Sequence, residues 1–261
     1  MEETAITEAE WLAATDPTLM LRTIKGKSSV RKFRLCAAAC CRRIDYLLIP
    51  TQLARGAVVL AERMADRLKV SPTLPEFRDR LLLNGFAWID GVRRERQNNA
   101  YAHAVWAASD ALEDDDSFLG LAPPGNYDLS PLTNAAADAA WAVAHWRRRN
   151  DEDPVKAEEH QRESAEQVTL VHDVFGNPFG SARAPDPGRL SWQGGTVSQL
   201  ARSAYEERQL PEGMLYPERL ALLADALEDA GCTDAELLGH LRSAGPHVRG
   251  CWAVDLLLSK Q

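Results

Sequence analysis

The stretch GCTDAELLGHLRSAGPHVRGCW, residues 231–252, gathers Cys232, His240, His247 and Cys251 close together in sequence. Two thiols and two imidazoles are a valid tetrahedral zinc set, because Zn²⁺ takes nitrogen and sulfur donors and has no geometric preference from its own electrons. His247 and Cys251 stand four apart, which on a helix would put them on one face. The rest of the spacing departs from the usual zinc patterns, which use two close pairs, each pre-organised on a single turn. Only one pair is close here, and Cys232 must return from beyond a capped helix. The plainer reading sets Cys232 just after a glycine stop, packs Cys251 beside Trp252, and leaves His240 and His247 near the surface. A helix start at Gly245-Pro246-His247, with Arg249 adjacent, would also offer N–H groups to an anion.

A second group of thiols lies in CAAACCRR, residues 36–43. On a helical wheel Phe33, Cys36, Ala37, Cys40, Cys41, Ile44, Leu47 and Leu48 share one sector, with Arg34, Arg42 and Asp45 outside it and Arg43 at its edge. These cysteines therefore read as small apolar filler in the buried stripe of an amphipathic helix. Cys36 and Cys40, one turn apart, could supply two thiolates to a metal, but no histidine lies nearby in sequence to complete the set. Arg42 or Arg43 would activate a thiol, while burial would oppose it.

Support for catalysis is thin. There is no Gly-x-Ser-x-Gly elbow, no His-Glu-x-x-His and no glycine-rich phosphate loop. His172-Asp173 could act as acid and base, though one adjacent pair is common. Trp141, His145 and Trp146 on an Ala-rich segment read as packing. The basic stretch RTIKGKSSVRKFR could engage phosphate, yet it lacks the exposed aromatics that stack single-stranded bases.

The elements that must position these residues are helices. Thr7–Glu10 (TEAE) is a capping box. Asp16-Pro17 starts a helix that Gly26 ends, and Ser28 or Ser29 starts another reaching about Leu48 before Pro50. Further helices are predicted over about 51–70, over 75–112 with breaks near Gly85 and Gly91, over 134–149, and over 154–175. Thr196–Gln199 (TVSQ) is read as a capping box, Pro217 begins a helix stopped by Gly231, and Thr233–Glu236 caps a short one. A last helix is predicted from about Pro246, carrying Val248, Cys251, Trp252 and Leu256 inward. No alternating run supports a strand. Two long loops, 113–134 and 176–195, carry aromatic residues, and the path of QLPEGMLYPER is open. NAYAHAVWAA (99–108) and NAAADAAWAV (134–143) match at six of ten positions, which predicts a helix pair approaching through small residues with a Trp to fill the gap.

At 261 residues the chain suits one helical domain, with a possible division into 1–112 and 135–261. Residues 1–110 hold 17 Lys and Arg against 13 Asp and Glu, and the remainder holds 13 against 25. Eight basic and no acidic residues lie between Arg22 and Arg43, within a chain of net charge −8. An acidic whole with one basic segment disfavours wide nucleic-acid binding but leaves room for a local anion contact. No apolar run is long enough to span a bilayer, and the acidic start MEETAITEAEW lacks the pattern of a secretory signal. Five cysteines, two of them adjacent, predict free thiols in a cytoplasmic compartment.

The blocks TEAEWLAATDPTLML, GKSSVRKFRLCAAACCRRI, VFGNPF, LADALEDAGC and GPHVRGCWAVDLLL resemble an uncharacterised bacterial family that shares such blocks around a variable Ala-rich middle. The resemblance covers about 7–48 and 165–260 and implies no activity, cofactor or site. The expectation is an all-α array of about ten helices. Functionally it is a non-catalytic cytoplasmic module that binds a protein partner, with zinc at Cys232, His240, His247 and Cys251 or anion binding through 22–43 as alternatives.

Overall fold

Helix starts in this chain are written in side chains that accept backbone N–H groups. In a computed structural model, which describes residues 6–49, 52–68, 76–81, 83, 96–112, 131–147, 155–180 and 186–260, most of those signals are used as expected. Thr7 and Glu10 form the reciprocal box at the head of α1 (Glu8–Leu12), and Asp16 accepts from Thr18 N–H at the head of α2 (Pro17–Ile24). Ser29 accepts from Lys32 N–H and opens α3 (Val30–Arg43), which breaks at Ile44 before α4 (Asp45–Leu48). There follow α5 (Gln52–Ala65), α6 (Arg96–Asp110), α7 (Pro131–Arg147) and α8 (Val155–Phe175). After these come α9 (Pro187–Leu190), α10 (Trp192–Glu206), α11 (Pro217–Asp229), α12 (Ala235–Leu241) and α13 (Trp252–Leu257). The architecture is all-α. None of the helices among the described residues is long and apolar enough to cross a membrane.

Some local expectations are corrected. The TVSQ box does not form: Thr196 Oγ1 donates to the Gln193 carbonyl at 3.1 Å, because Gln193, Gly194 and Gly195 all take positive φ and kink α10. Asp234, not Thr233, caps α12, accepting from Glu236 and Leu237 N–H at 3.1 Å each. QLPEGMLYPER contains a small hairpin, β1 (Arg208–Gln209) against β2 (Met214–Leu215). The expected helix from Pro246 starts only at Trp252, since Met214 bridges Val248 in antiparallel register and holds residues 246–248 extended. His247 and Cys251 therefore do not share a helix face. Of the loop expected over 113–134, residues 113–130 lie outside the described residues, as do the breaks at Gly85 and Gly91, whereas 131–134 belong to α7; the loop expected over 176–195 contains α9 and the start of α10.

The chain forms two compact units, Met1–Val168 and Thr169–Gln261, with the boundary inside α8. In the first unit α6 and α7 pack closely, as their shared pattern predicts. Ala102, Ala104, Ala107, Ala139, Ala142 and Ala144 are fully buried between helices, which is the close approach that only small side chains allow. Trp141 does not fill that gap, being 36% exposed. The α3 stripe is buried as expected, with Cys36, Cys40 and Cys41 all inside the core. Burial pushes the Cys41 thiol well up, which keeps it protonated and inert.

Arg34 and Arg42, placed outside the stripe by the wheel, are also buried. Arg34 reaches the Ala111 carbonyl at 3.4 Å, and Arg42 makes a two-pronged pair with Glu62 of α5 at 2.6 and 2.9 Å. A buried charge is tolerated only with such a partner. Replacing Glu62 by Ala should therefore destabilise the first unit by about 3–5 kcal/mol, because Arg42 loses its carboxylate. The double replacement Arg42→Met with Glu62→Leu should cost far less. Denaturant titration of the three chains checks both statements.

Candidate metal centre

The second unit is built so that one acid can be buried. Asp173 lies in the last turn of α8, beside Val171 and Val174 on the inward face. Three segments converge on it. The first is the end of α12, which brings His240. The second is the extended run 246–248, which brings His247 and is pinned by Leu215 N–H donating to the His247 carbonyl at 2.8 Å. The third is the cap of α13, which is Cys251 itself. Behind them Tyr205, Leu220, Leu223, Leu227 and Val254 form the apolar core that fixes these helices.

The side chains meet at short range. His247 Nδ1 is 2.8 Å from Asp173 Oδ1, and His240 Nε2 is 3.1 Å from the same oxygen and 3.2 Å from Cys251 Sγ. One donor atom from each of Asp173, His240, His247 and Cys251 lies within 4.8 Å of all the others. Around a tetrahedral zinc, bonds of about 2.0–2.3 Å place the donors roughly 3.3–3.7 Å apart. Three of the separations are shorter than this edge and the widest extends to 4.8 Å, so the group is near the size of such a shell but not yet regular.

The surroundings also suit an ion. Val248 N–H donates to Asp173 Oδ2 at 2.8 Å, so that oxygen is occupied and Oδ1 alone faces the group, as a one-armed ligand would. His247 Nε2 is 3.2 Å from the Ser243 carbonyl, which accepts its N–H and leaves Nδ1 turned inward. A histidine ligand held through its second nitrogen by a carbonyl is the usual outer shell of a bound metal. Gly245 makes this placement possible: a Cβ there would stand 2.8 Å from the His247 N and 3.2 Å from its Cδ2.

Protons occupy the same positions in the metal-free chain. Burial pushes the Asp173 carboxyl up, but hydrogen bonds from His240 and His247 outweigh it and hold the group below its ordinary value. Burial pushes His247 down, yet the hydrogen bond and charge of Asp173 carry it above the usual imidazole value. The extra proton on His247 Nδ1 points where the ion would sit, so proton and metal compete for one lone pair.

Three of the four residues singled out in sequence thus come together, and the fourth does not. Cys232 lies outside the group, packed in the apolar core, where its N–H closes α11 on the Leu227 carbonyl at 2.8 Å. Its place is taken by Asp173. His247 is buried and not near the surface, because the bridge at Val248 draws it inward. The signal for Asp173 was an acid set among Leu170, Val171 and Val174, where a charge must find partners. The basic segment behaves differently: Arg31 pairs with Asp66, Arg42 with Glu62 and Arg43 with Glu163. A cleft of about 260 Å³ lined by Arg43, Arg147 and Arg162 also holds Glu159, Glu163 and Glu166, which offset its charge.

The shifts fix opposite pH behaviour for the two forms. In the metal-free chain Asp173 contributes stability that is present above its unfolded value and lost as pH falls through its lowered folded value. His247 contributes stability that is full below its unfolded value and lost as pH rises through its raised folded value. Melting temperatures in chelator should therefore decline as pH rises past the ordinary imidazole range and through the raised His247 value, whereas those of the zinc-loaded chain should hold or rise there. Parallel profiles would contradict this assignment. No family model, no curated protein and no solved structure matches the chain.

Proposed function

We propose that the protein is a non-catalytic helical module whose C-terminal unit is organised by one structural transition-metal ion, held by Asp173, His240, His247 and Cys251. The carrying observation is the convergence of these four donors within 4.8 Å. The chemistry of the set narrows the metal. One thiolate, two imidazoles and one carboxylate suit a borderline ion such as Zn²⁺ and not Mg²⁺ or Ca²⁺, which require oxygen donors. Four protein donors fill a tetrahedral shell and leave no position for substrate, which is the arrangement of structural sites. A thiolate ligand and free buried cysteines suit a reducing, cytoplasmic setting.

The experiment is elemental analysis of the purified full-length chain. About one zinc per chain is expected, lost in Cys251→Ser and His247→Ala and weakened in Asp173→Asn. Cys232→Ser should retain it, which separates this set from the one suggested by spacing alone. Absence of metal in the wild-type chain, or its loss in Cys232→Ser, would overturn the reading.

A second reading, a surface for a protein partner, is favoured by one observation in the first unit. Tyr46, Tyr101 and Trp146 form an aromatic cluster with centroids 6.4 and 5.7 Å apart, and Tyr46 and Trp146 are exposed. Aromatic side chains of this kind anchor interfaces. Co-purification from the native host should yield a stoichiometric partner whose binding falls at least tenfold in Trp146→Ser; equal binding would end this reading.

A further inference from the structure

The four donors differ in their access to solvent. Side-chain exposure is 2% at Asp173 and 1% at His247, against 19% at His240, and Cys251 is fully buried. An ion in a four-donor shell leaves by losing its donors one at a time, and the first to swing away needs space to enter. Only His240 has it.

On its more open side His240 has an aromatic neighbour. The Trp252 indole lies against the His240 ring, with centroids 5.0 Å apart and planes at 47°. The same indole rests on Gly176, three residues after Asp173, where an added Cβ would stand 3.1–3.3 Å from three of its atoms. Gly176 has φ of 68°, a left-handed backbone that turns the chain out of α8 and lets the ring approach. The glycine of the VFGNPF block thus seats the tryptophan of the GPHVRGCW block, and the tryptophan confines the least buried ligand.

We propose that Trp252, seated on Gly176, is the cover that sets how fast the metal ion exchanges at His240. The inference rests on the metal reading above and adds its regulation. Trp252 donates nothing to the ion and is a positioning residue, so its removal leaves the donor set whole. The effect is kinetic: His240 rotates away more often, while the number of ions bound at saturation stays at one.

The test uses the full-length chain loaded with zinc and mixed with excess chromophoric chelator, reading the rate of zinc release. Trp252→Leu should release about tenfold faster than wild type while still binding one zinc, and Trp252→Phe should fall between, as loss of an outer-shell partner weakens metal sites by factors of this order. Leu256→Ala, which loosens the same helix, should release at the wild-type rate. Wild-type release in Trp252→Leu, or equal acceleration in Leu256→Ala, would overturn the proposal. Should Trp252→Leu lose its helical circular-dichroism signal, Gly176→Ala, which displaces the indole without removing it, is judged by the same rate criterion. A wild-type chain carrying no zinc is a different result, and defeats the metal reading itself.

Discussion

A carboxylate buried among aliphatic side chains is the constraint around which the C-terminal unit is arranged. Moving such a charge out of water costs several kcal/mol unless every lone pair it exposes is met. Asp173 is met on one oxygen by the Val248 N–H and on the other by two imidazoles. The partners sit on two segments, His240 on α12 and His247 with Val248 on the run before α13, so satisfying one acid ties the end of α8 to both. The hairpin, small as it is, belongs to the same scheme. It holds His247 and Val248 extended, without which neither side chain nor N–H would face the acid. A divalent cation at the centre would replace a proton by two positive charges among the same donors, strengthening a clasp that already exists.

The N-terminal unit solves a different problem with different means. Its helices come close through alanine and cysteine, and its charges are buried in pairs such as Arg42 with Glu62. Cysteine serves there as a small apolar residue, whereas at Cys251 it faces two titratable neighbours. The same side chain has two roles in one chain, and what separates them is whether nitrogen and oxygen donors stand within bonding range.

Much of the architecture could be read from residue order. Capping boxes, Pro at helix starts and the wheel of α3 are local signals acting over one or two turns, so TEAE, Asp16-Pro17 and the Cys36–Cys41 stripe behaved as their sequence implies. Departures from the local pattern occur where a distant contact or a backbone kink overrides it. Residues 246–251 have helical spacing, yet a bridge from Met214 to Val248 keeps 246–248 extended and a turn follows at 249–250. Thr196 has the spacing of a cap, yet the positive φ values at 193–195 turn its hydroxyl to another carbonyl. The site was half legible for the same reason. His240, His247 and Cys251 stand close in sequence and could be grouped, whereas Asp173 lies more than sixty residues away and joins only through folding. Cys232 has the chemistry of a ligand, but its position after Gly231 commits it to the core.

The central claim is that Asp173, His240, His247 and Cys251 hold one ion as a single shell. X-ray absorption at the zinc edge of the purified chain tests it most directly. The account predicts one sulfur at about 2.3 Å and three nitrogen or oxygen neighbours at about 2.0 Å. A shell with two sulfurs, which would bring in a second cysteine, or one made only of light atoms, would contradict it.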